Sequence, residues 1–173
     1  MICDLCPRRC GALRTEERGL GRCRMPELPV LARAALHRWE EPPISGTRGS
    51  GTIFFSGCSL GCVFCQNEEI SHRDFGKAVT LERLARICGE LVDQGAHNLN
   101  FVNPTHYAHV VGRLLEEHPN LGGIIALGEE LTLGAADALQ QAGSKASLVG
   151  FGAAPEQAAL LQAARRMKRR QLD

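Results

Sequence analysis

The chain has 173 residues, of which 44% are apolar and 23% charged, and its formal net charge is +1. That is enough apolar material for one cored domain, or one domain with a small appendage. A charge so close to zero offers no field for nucleic acid or an acidic membrane. No apolar run approaches the length of a membrane span. The opening Met1-Ile2-Cys3-Asp4 has neither the basic nor the apolar region of a secretory signal. The expectation is a cytoplasmic protein with no nucleic-acid and no membrane partner. Eight cysteines in such a setting read as metal ligands rather than disulfides.

Four of the cysteines fall in the first 23 residues: Cys3, Cys6, Cys10 and Cys23. Gly and Pro punctuate this stretch, which follows neither a helical nor a strand period. A segment this short cannot bury a core of its own, so something else has to fix it. The four thiols predict a metal site here, either all-cysteine zinc or an iron–sulfur cluster. The uneven spacing leaves that choice open.

Residues 25–50 form a connector. Leu31 to Leu36 reads as a short strand or one helical turn, and Glu40 to Gly46 as turn and extended chain, because Pro42-Pro43 excludes a helix. His37, Trp39, Glu40 and Glu41 are expected to pack beneath the loop that follows. Thr52 to Phe55 is a short apolar run, read as a buried strand that Ser56-Gly57 ends. Directly after it come Cys58, Cys62 and Cys65, spaced Cys-x3-Cys-x2-Cys, with Phe64 before the last of them. Three thiolates on one loop can converge on a soft metal centre. A cubane cluster held by three cysteines keeps one iron without a protein ligand, which is the open position that catalysis uses.

At this loop the chain resembles the radical S-adenosylmethionine (SAM) enzymes. The resemblance implies a 4Fe–4S cluster on Cys58, Cys62 and Cys65, with SAM chelated at the unique iron and cleaved to a 5′-deoxyadenosyl radical. It extends to the Cys-x-x-Cys-Pro-Arg-x-Cys opening, to Leu36-His37-x-Trp39-Glu40-Glu41-Pro42-Pro43-Ile44-Ser45-Gly46, and to Asn98-x-Asn100-x-Val102-x-Pro104-Thr105-His106-Tyr107. Over residues 1 to about 118 the chain is therefore similar to radical SAM proteins related to the pyruvate formate-lyase activating enzyme. The implied cofactors are the cluster and SAM, with zinc or a second cluster at the amino terminus. The implied partners are a reductant such as flavodoxin or ferredoxin and a protein substrate.

Further along, Thr80 to Gln94 predicts a helix. Leu81, Leu84, Ala85, Ile87, Cys88, Leu91 and Val92 form its stripe, Thr80 caps it and Gly95 ends it. Cys88 on that stripe reads as a core residue. Asn98 to Val102 predicts a second strand. Asn103 then caps, and Pro104 begins, a helix to about Glu117, with Tyr107, Val110, Val111, Leu114 and Leu115 on one face. His109 and His118 are expected to face solvent. In the related enzymes a Gly-Gly-Glu-like motif after the second strand holds the amino group of SAM. Asn103 to His106 stands in its place, so Asn103, Thr105, His106 and Phe64 are the expected SAM contacts.

Past His118 that resemblance stops. Gly122 to Leu127 and Ser147 to Gly150 still read as strands, with helices over Thr132 to Ala142 and Pro155 to about Arg169. The basic run Arg165 to Arg170 reads as a solvated helix end. Ile124 to Gly143 and Leu148 to Glu156 resemble a fragment of the periplasmic sugar-binding fold, with its sugar-contacting polar residues replaced. The organisation expected is a cysteine-rich segment and connector at 1–45, a radical SAM core at 46–118, and a divergent βαβα tail at 119–173. The fold class expected is α/β: a truncated (βα) partial barrel of parallel strands behind an irregular cysteine-rich segment. A complete eightfold barrel takes about 250 residues. The alternative to an enzyme is therefore a truncated or chimeric, non-catalytic metal- or iron–sulfur-binding protein.

Overall fold

The apolar run before the cysteine loop forms an inner strand of the larger sheet. In the computed structural model, residues 2–6, 8–39, 42–117, 123–127, 136, 139–140, 143 and 147–151 are described. Strand β1 spans Val30–His37 and β2 spans Ser50–Phe55. Short helix α1 (Pro42–Ser45) lies between them. Helix α2 (Glu68–His72), strand β3 (Lys77–Ala78), helix α3 (Leu81–Asp93) and strand β4 (Leu99–Val102) follow. A 3-10 turn (Thr105–Tyr107) then leads into α4 (Ala108–Glu117). Strands β5 (Gly123–Leu127) and β6 (Ser147–Phe151) form a separate parallel pair, Gly123 opposite Ser147 and Leu127 opposite Phe151. The chain divides into two compact units, Met1–Val110 and Val111–Asp173. Among the described residues no helix is long and apolar enough to cross a membrane.

The main sheet has four strands in the order β3-β1-β2-β4 and is open. It is mixed, which corrects the expectation of parallel strands. Only β2 and β4 run parallel, whereas β1 lies antiparallel to both β2 and β3. The connections explain the difference. β2 and β4 are joined through α3, and a crossover of this kind is what a parallel pair requires. β1 returns to β2 through a short turn with no crossover helix to reverse it. Of the two readings for Leu31 to Leu36, the strand is the one found.

That turn also corrects the reading of Pro42-Pro43. Both prolines sit in the first turn of α1, where a backbone N–H would have no helical partner in any case. Gly46 N donates to Pro42 O at 2.9 Å and Gly49 N to Ser45 O at 2.7 Å, which closes the turn. The Asn98 amide clips it to the sheet by donating to Ile44 O at 2.7 Å.

Helix α3 forms as its periodicity predicts. Thr80 caps it by accepting from Arg83 N at 3.2 Å. Leu84, Cys88 and Leu91 are buried, whereas Val92 is 55% exposed and lies off the stripe assigned to it. Gly51 lets the helix close on the sheet, because a Cβ there would stand 3.0 Å from Leu91 Cβ and 2.9 Å from Leu99 Cδ2. Burial pushes the Cys88 thiol up to about 11, which makes it an inert core group, as expected.

The second helix begins later than Asn103-Pro104 predicted. Pro104 is the cap of the 3-10 turn, with no side-chain cap bond, and α4 starts at Ala108. Tyr107, Val110 and Leu114 are buried as expected. His109 is half-buried rather than solvent-facing, its ring centroid 6.3 Å from that of Tyr107. Phe55, Phe101 and Tyr107 gather over the sheet, with Phe55 5.9 Å from Phe101 and 5.7 Å from Tyr107.

Beyond Glu117 the two expected strands are present. Of the helix expected over Thr132 to Ala142, only Ala136, Leu139 and Gln140 are described, and they are helical. His118, the helix from Pro155 and the basic run Arg165 to Arg170 lie outside the described residues, as do Glu40 and Glu41.

Candidate metal centre

Strand β2 delivers the cysteine loop. Ser56 N donates to Val30 O at 2.9 Å, and Gly57 N to Ile70 O at 2.8 Å, so the strand end is held on both sides. Gly57 has φ +75° and Gly61 has φ +70°, the left-handed region that favours glycine. These two turns fold Cys58, Cys62 and Cys65 into one surface loop. Cys58 and Cys65 are half-buried and Cys62 is exposed. Leu60 N lies 3.4 Å from Cys58 Sγ, and Ser71 Oγ, on the buried side of α2, lies 3.4 Å from Cys65 Sγ. Two of the three sulfurs thus already accept weak hydrogen bonds, of the kind that tunes a thiolate-bound cluster.

The loop is also ringed by cations. Arg8 Nη1 donates to Ser59 O at 3.1 Å and Arg22 Nη2 to Leu60 O at 3.3 Å. Arg24 donates to His72 O and pairs with Asp74 at 3.1 Å. A cubane carried by three thiolates is anionic, so arginines at its rim favour it electrostatically. Donor type, loop exposure, sulfur hydrogen bonds and local charge all fit an iron–sulfur cluster at Cys58, Cys62 and Cys65. Among the described residues no three Cys, His, Asp or Glu side chains gather round a single metal ion.

Two side chains from the β4–α4 corner hold the start of the loop. Asn103, at φ +58°, donates its amide to Gly57 O. This corrects its reading as a helix cap: the side chain reaches across the sheet instead. His106 is fully buried, with Nε2 2.7 Å from Ser56 O. Burial, chiefly, holds the imidazole down at about 4, with the Arg14 and His109 charges acting in the same direction. The ring is therefore neutral at pH 7. Because Ser56 O can only accept, the proton sits on Nε2. Nδ1 meets no hydrogen-bond partner among the described residues.

Of the residues expected to touch SAM, the structure therefore places Asn103 and His106 on the backbone beneath the cysteines. Thr105 is half-buried in the 3-10 turn, and the Phe64 ring is 87% exposed at the loop tip. Trp39, expected to pack under the loop, is 91% exposed, which overturns that reading. His37 lies within β1, opposite Ser50.

The amino-terminal segment has little regular structure, as expected, and is carried by isolated bridges Ile2 to Leu13 and Arg14 to Gly19. Its anchor is Arg14, which the sequence reading missed. The side chain is buried, with Nε donating to Pro26 O at 2.9 Å, Nη1 to His106 O at 3.0 Å, and the guanidinium 4.8 Å from the Tyr107 ring centroid. Tyr107 Oη lies 3.2 Å from Pro26 O and 3.0 Å from Leu28 O. Burial raises the Tyr107 phenol well above its ordinary value, so it stays neutral.

A Cβ at Gly57 would stand 2.3 Å from Met25 Cγ and 2.7 Å from Cys23 O, whereas at Gly61 it would meet only the Arg22 side chain. Gly57→Ala is expected to cost about 2 kcal/mol or more, through left-handed strain plus overlap with backbone, and Gly61→Ala about 1 kcal/mol. Urea unfolding of the two variants checks the order. Equal losses would mean that the amino-terminal segment does not press on the loop.

No solved structure matches the chain. Over 119 residues, 65% of its length, it is 34% identical to an uncharacterized protein of Methanocaldococcus jannaschii. The match takes in 33% of that protein, so the chain spans about a third of the length of this relative. Residues 45–122 match the family described as the 4Fe-4S single cluster domain. That stretch contains β2, the cysteine loop, α3 and the β4 corner with Asn103 and His106. Residues 45–122 are thus similar to a 4Fe-4S cluster-binding domain, and Cys58, Cys62 and Cys65 lie inside the matched stretch.

Proposed function

We propose that this is a radical SAM protein related to the pyruvate formate-lyase activating enzyme. One electron, supplied by a flavodoxin- or ferredoxin-type reductant in the cytoplasm, would cleave the C5′–S bond of SAM. The products are methionine and a 5′-deoxyadenosyl radical, which takes a hydrogen atom from the substrate. A protein substrate, such as one that carries a glycyl radical, is the class this kinship implies. The observation that carries the reading is the three-cysteine loop, Cys58-x3-Cys62-x2-Cys65, on the end of a buried strand within the 4Fe-4S domain. Three thiolates leave one iron of a cubane open for the amino and carboxylate groups of SAM. Phe64 and Thr105 are the side chains that would meet SAM, while Asn103 and His106 hold the loop from below. The parallel pair β5 and β6 belongs to a tail whose likeness to a sugar-binding fold brings no sugar contacts with it.

The test is anaerobic. Reconstituted wild-type chain, dithionite and SAM should yield 5′-deoxyadenosine, and Cys62→Ala should give at least 100-fold less. Equal product from both would end the reading. A second reading, a non-catalytic iron–sulfur protein, is favoured by the open four-stranded sheet. A radical intermediate needs a site walled from water, and an open sheet supplies only part of that wall. A full cluster with no SAM binding by calorimetry would support this alternative.

A further inference from the structure

We infer that Cys3, Cys6, Cys10 and Cys23 form a second metal centre, taking a soft thiophilic metal of the zinc or iron–sulfur class, and that this centre fixes the amino-terminal segment as a clamp on the cysteine loop. No three of these thiols yet gather round one point among the described residues, but backbone turns bring them to the same part of the segment. Cys3 N donates to Ala12 O at 2.9 Å, which sets Cys3 beside the turn that carries Cys10. Gly21 leaves room for Cys10, since a Cβ there would stand 2.8 Å from its Sγ. Backbone bonds from Gly11 N to Cys3 O at 3.0 Å and from Arg9 N to Cys6 O at 2.9 Å fold the first three cysteines into one tight turn.

A buried cation faces this group. Arg14, 2% exposed, has Nη1 3.7 Å from Cys3 Sγ. Thiolates must lose their protons to bind metal, and a four-thiolate centre is anionic, so a guanidinium beside it favours the loaded form. Metal binding would draw the sulfurs in. The backbone of the segment is held by two isolated bridges and turns rather than by a sheet, with Arg14 as its buried anchor, so its cysteines can shift without breaking a strand ladder.

The consequence lies in the sequence between the ligands. Arg8 is flanked by Cys6 and Cys10, and Arg22 adjoins Cys23. Their guanidinium groups hold the carbonyls of Ser59 and Leu60, which lie between Cys58 and Cys62. A metal joining Cys6, Cys10 and Cys23 would fix the stems of both arginines, and with them the loop that the first cluster needs.

The test uses the full chain with Cys58, Cys62 and Cys65 all changed to Ser, so the first cluster cannot contribute and its failure cannot be mistaken for this one. Cobalt(II) added without oxygen should bind at one per chain, with the intense thiolate-to-cobalt absorption of a tetrahedral sulfur site, and zinc should displace it. Iron and sulfide reconstitution giving a cluster in the same variant would equally support the centre and assign its class. Adding Cys10→Ser and Cys23→Ser should weaken binding at least tenfold. Cys10 is exposed, so Cys10→Ser alone keeps the fold, and it should still lose the four-sulfur spectrum. Loaded chain should resist trypsin after Arg8 and Arg22 at least tenfold better than metal-free chain. Absence of both cobalt and cluster binding, or binding unchanged by Cys10→Ser with Cys23→Ser, would overturn the metal centre. Equal trypsin cleavage with and without metal would overturn the clamp.

Discussion

Replacing Cys62 by alanine should leave the chain without its first cluster. Iron at that site would fall from about four per cluster to near zero, and the broad visible absorption of the reconstituted protein with it. Two thiolates on a surface loop cannot hold a cubane against solvent. Cys62 is the most informative of the three because its side chain is exposed and carries no packing. Compared with wild-type chain likewise free of iron, the variant should therefore keep its stability within about 0.5 kcal/mol, as surface substitutions do. Cys88→Ala makes the complementary control. Its thiol is buried and held protonated, so its loss should cost about 1 kcal/mol and leave the cluster intact. Iron analysis against urea unfolding separates the two outcomes. Full iron in Cys62→Ala would place the cluster elsewhere.

Acid should destabilise the protein through His106. The folded ring titrates at about 4, against an ordinary 6.5. Below about pH 6.5 the unfolded chain takes up a proton that the folded chain refuses. The contribution of the neutral buried ring is therefore intact above that pH and is lost as pH falls towards 4. The slope approaches about 1.4 kcal/mol per pH unit and the total is on the order of 3 kcal/mol. His106→Gln keeps an N–H donor for the Ser56 carbonyl but does not titrate, so it should flatten this part of the curve. Urea midpoints at pH 8, 6 and 4.5 measure the difference, and parallel curves for the two proteins would remove His106 as the cause. The same protonation bears on the metal centre. A doubly protonated ring would bring a charge into the core that holds Ser56-Gly57, directly before Cys58.

Both predictions concern the same few residues, though the routes to them differ. That Cys58, Cys62 and Cys65 share one loop was legible from spacing alone. Three cysteines within eight positions after a strand constrain one another through the local chain, so their shared loop needs no long-range information. Helix α3 was legible for a similar reason: its stripe, the Thr80 cap and the Gly95 stop are short-range features, and the helix found is Leu81–Asp93. Strand β2 and the core role of Cys88 followed in the same way.

Long-range placement was not legible. His106 and Asn103 looked like ligand contacts or a cap because they follow a strand end. In the structure they reach Ser56 and Gly57, 50 and 46 positions earlier in the chain. Arg14 looked like one more surface arginine, yet it bonds the carbonyl of His106, 92 positions away. The antiparallel seating of β1 depended on how the connection through α1 brings the chain back beside it. Trp39 turned out to be exposed although its neighbourhood resembled a packing motif.

By itself, then, the sequence determined the cysteine loop and the helix and strand that flank it. These rest on residue type and on interactions a few positions apart. The tertiary structure alone decided that the sheet is mixed and open, that His106 is a neutral donor under the loop, and that arginines from the amino terminus hold the loop from outside. Those depend on which backbone carbonyl a side chain meets once the core has closed, and a core closes through contacts between residues far apart in the chain.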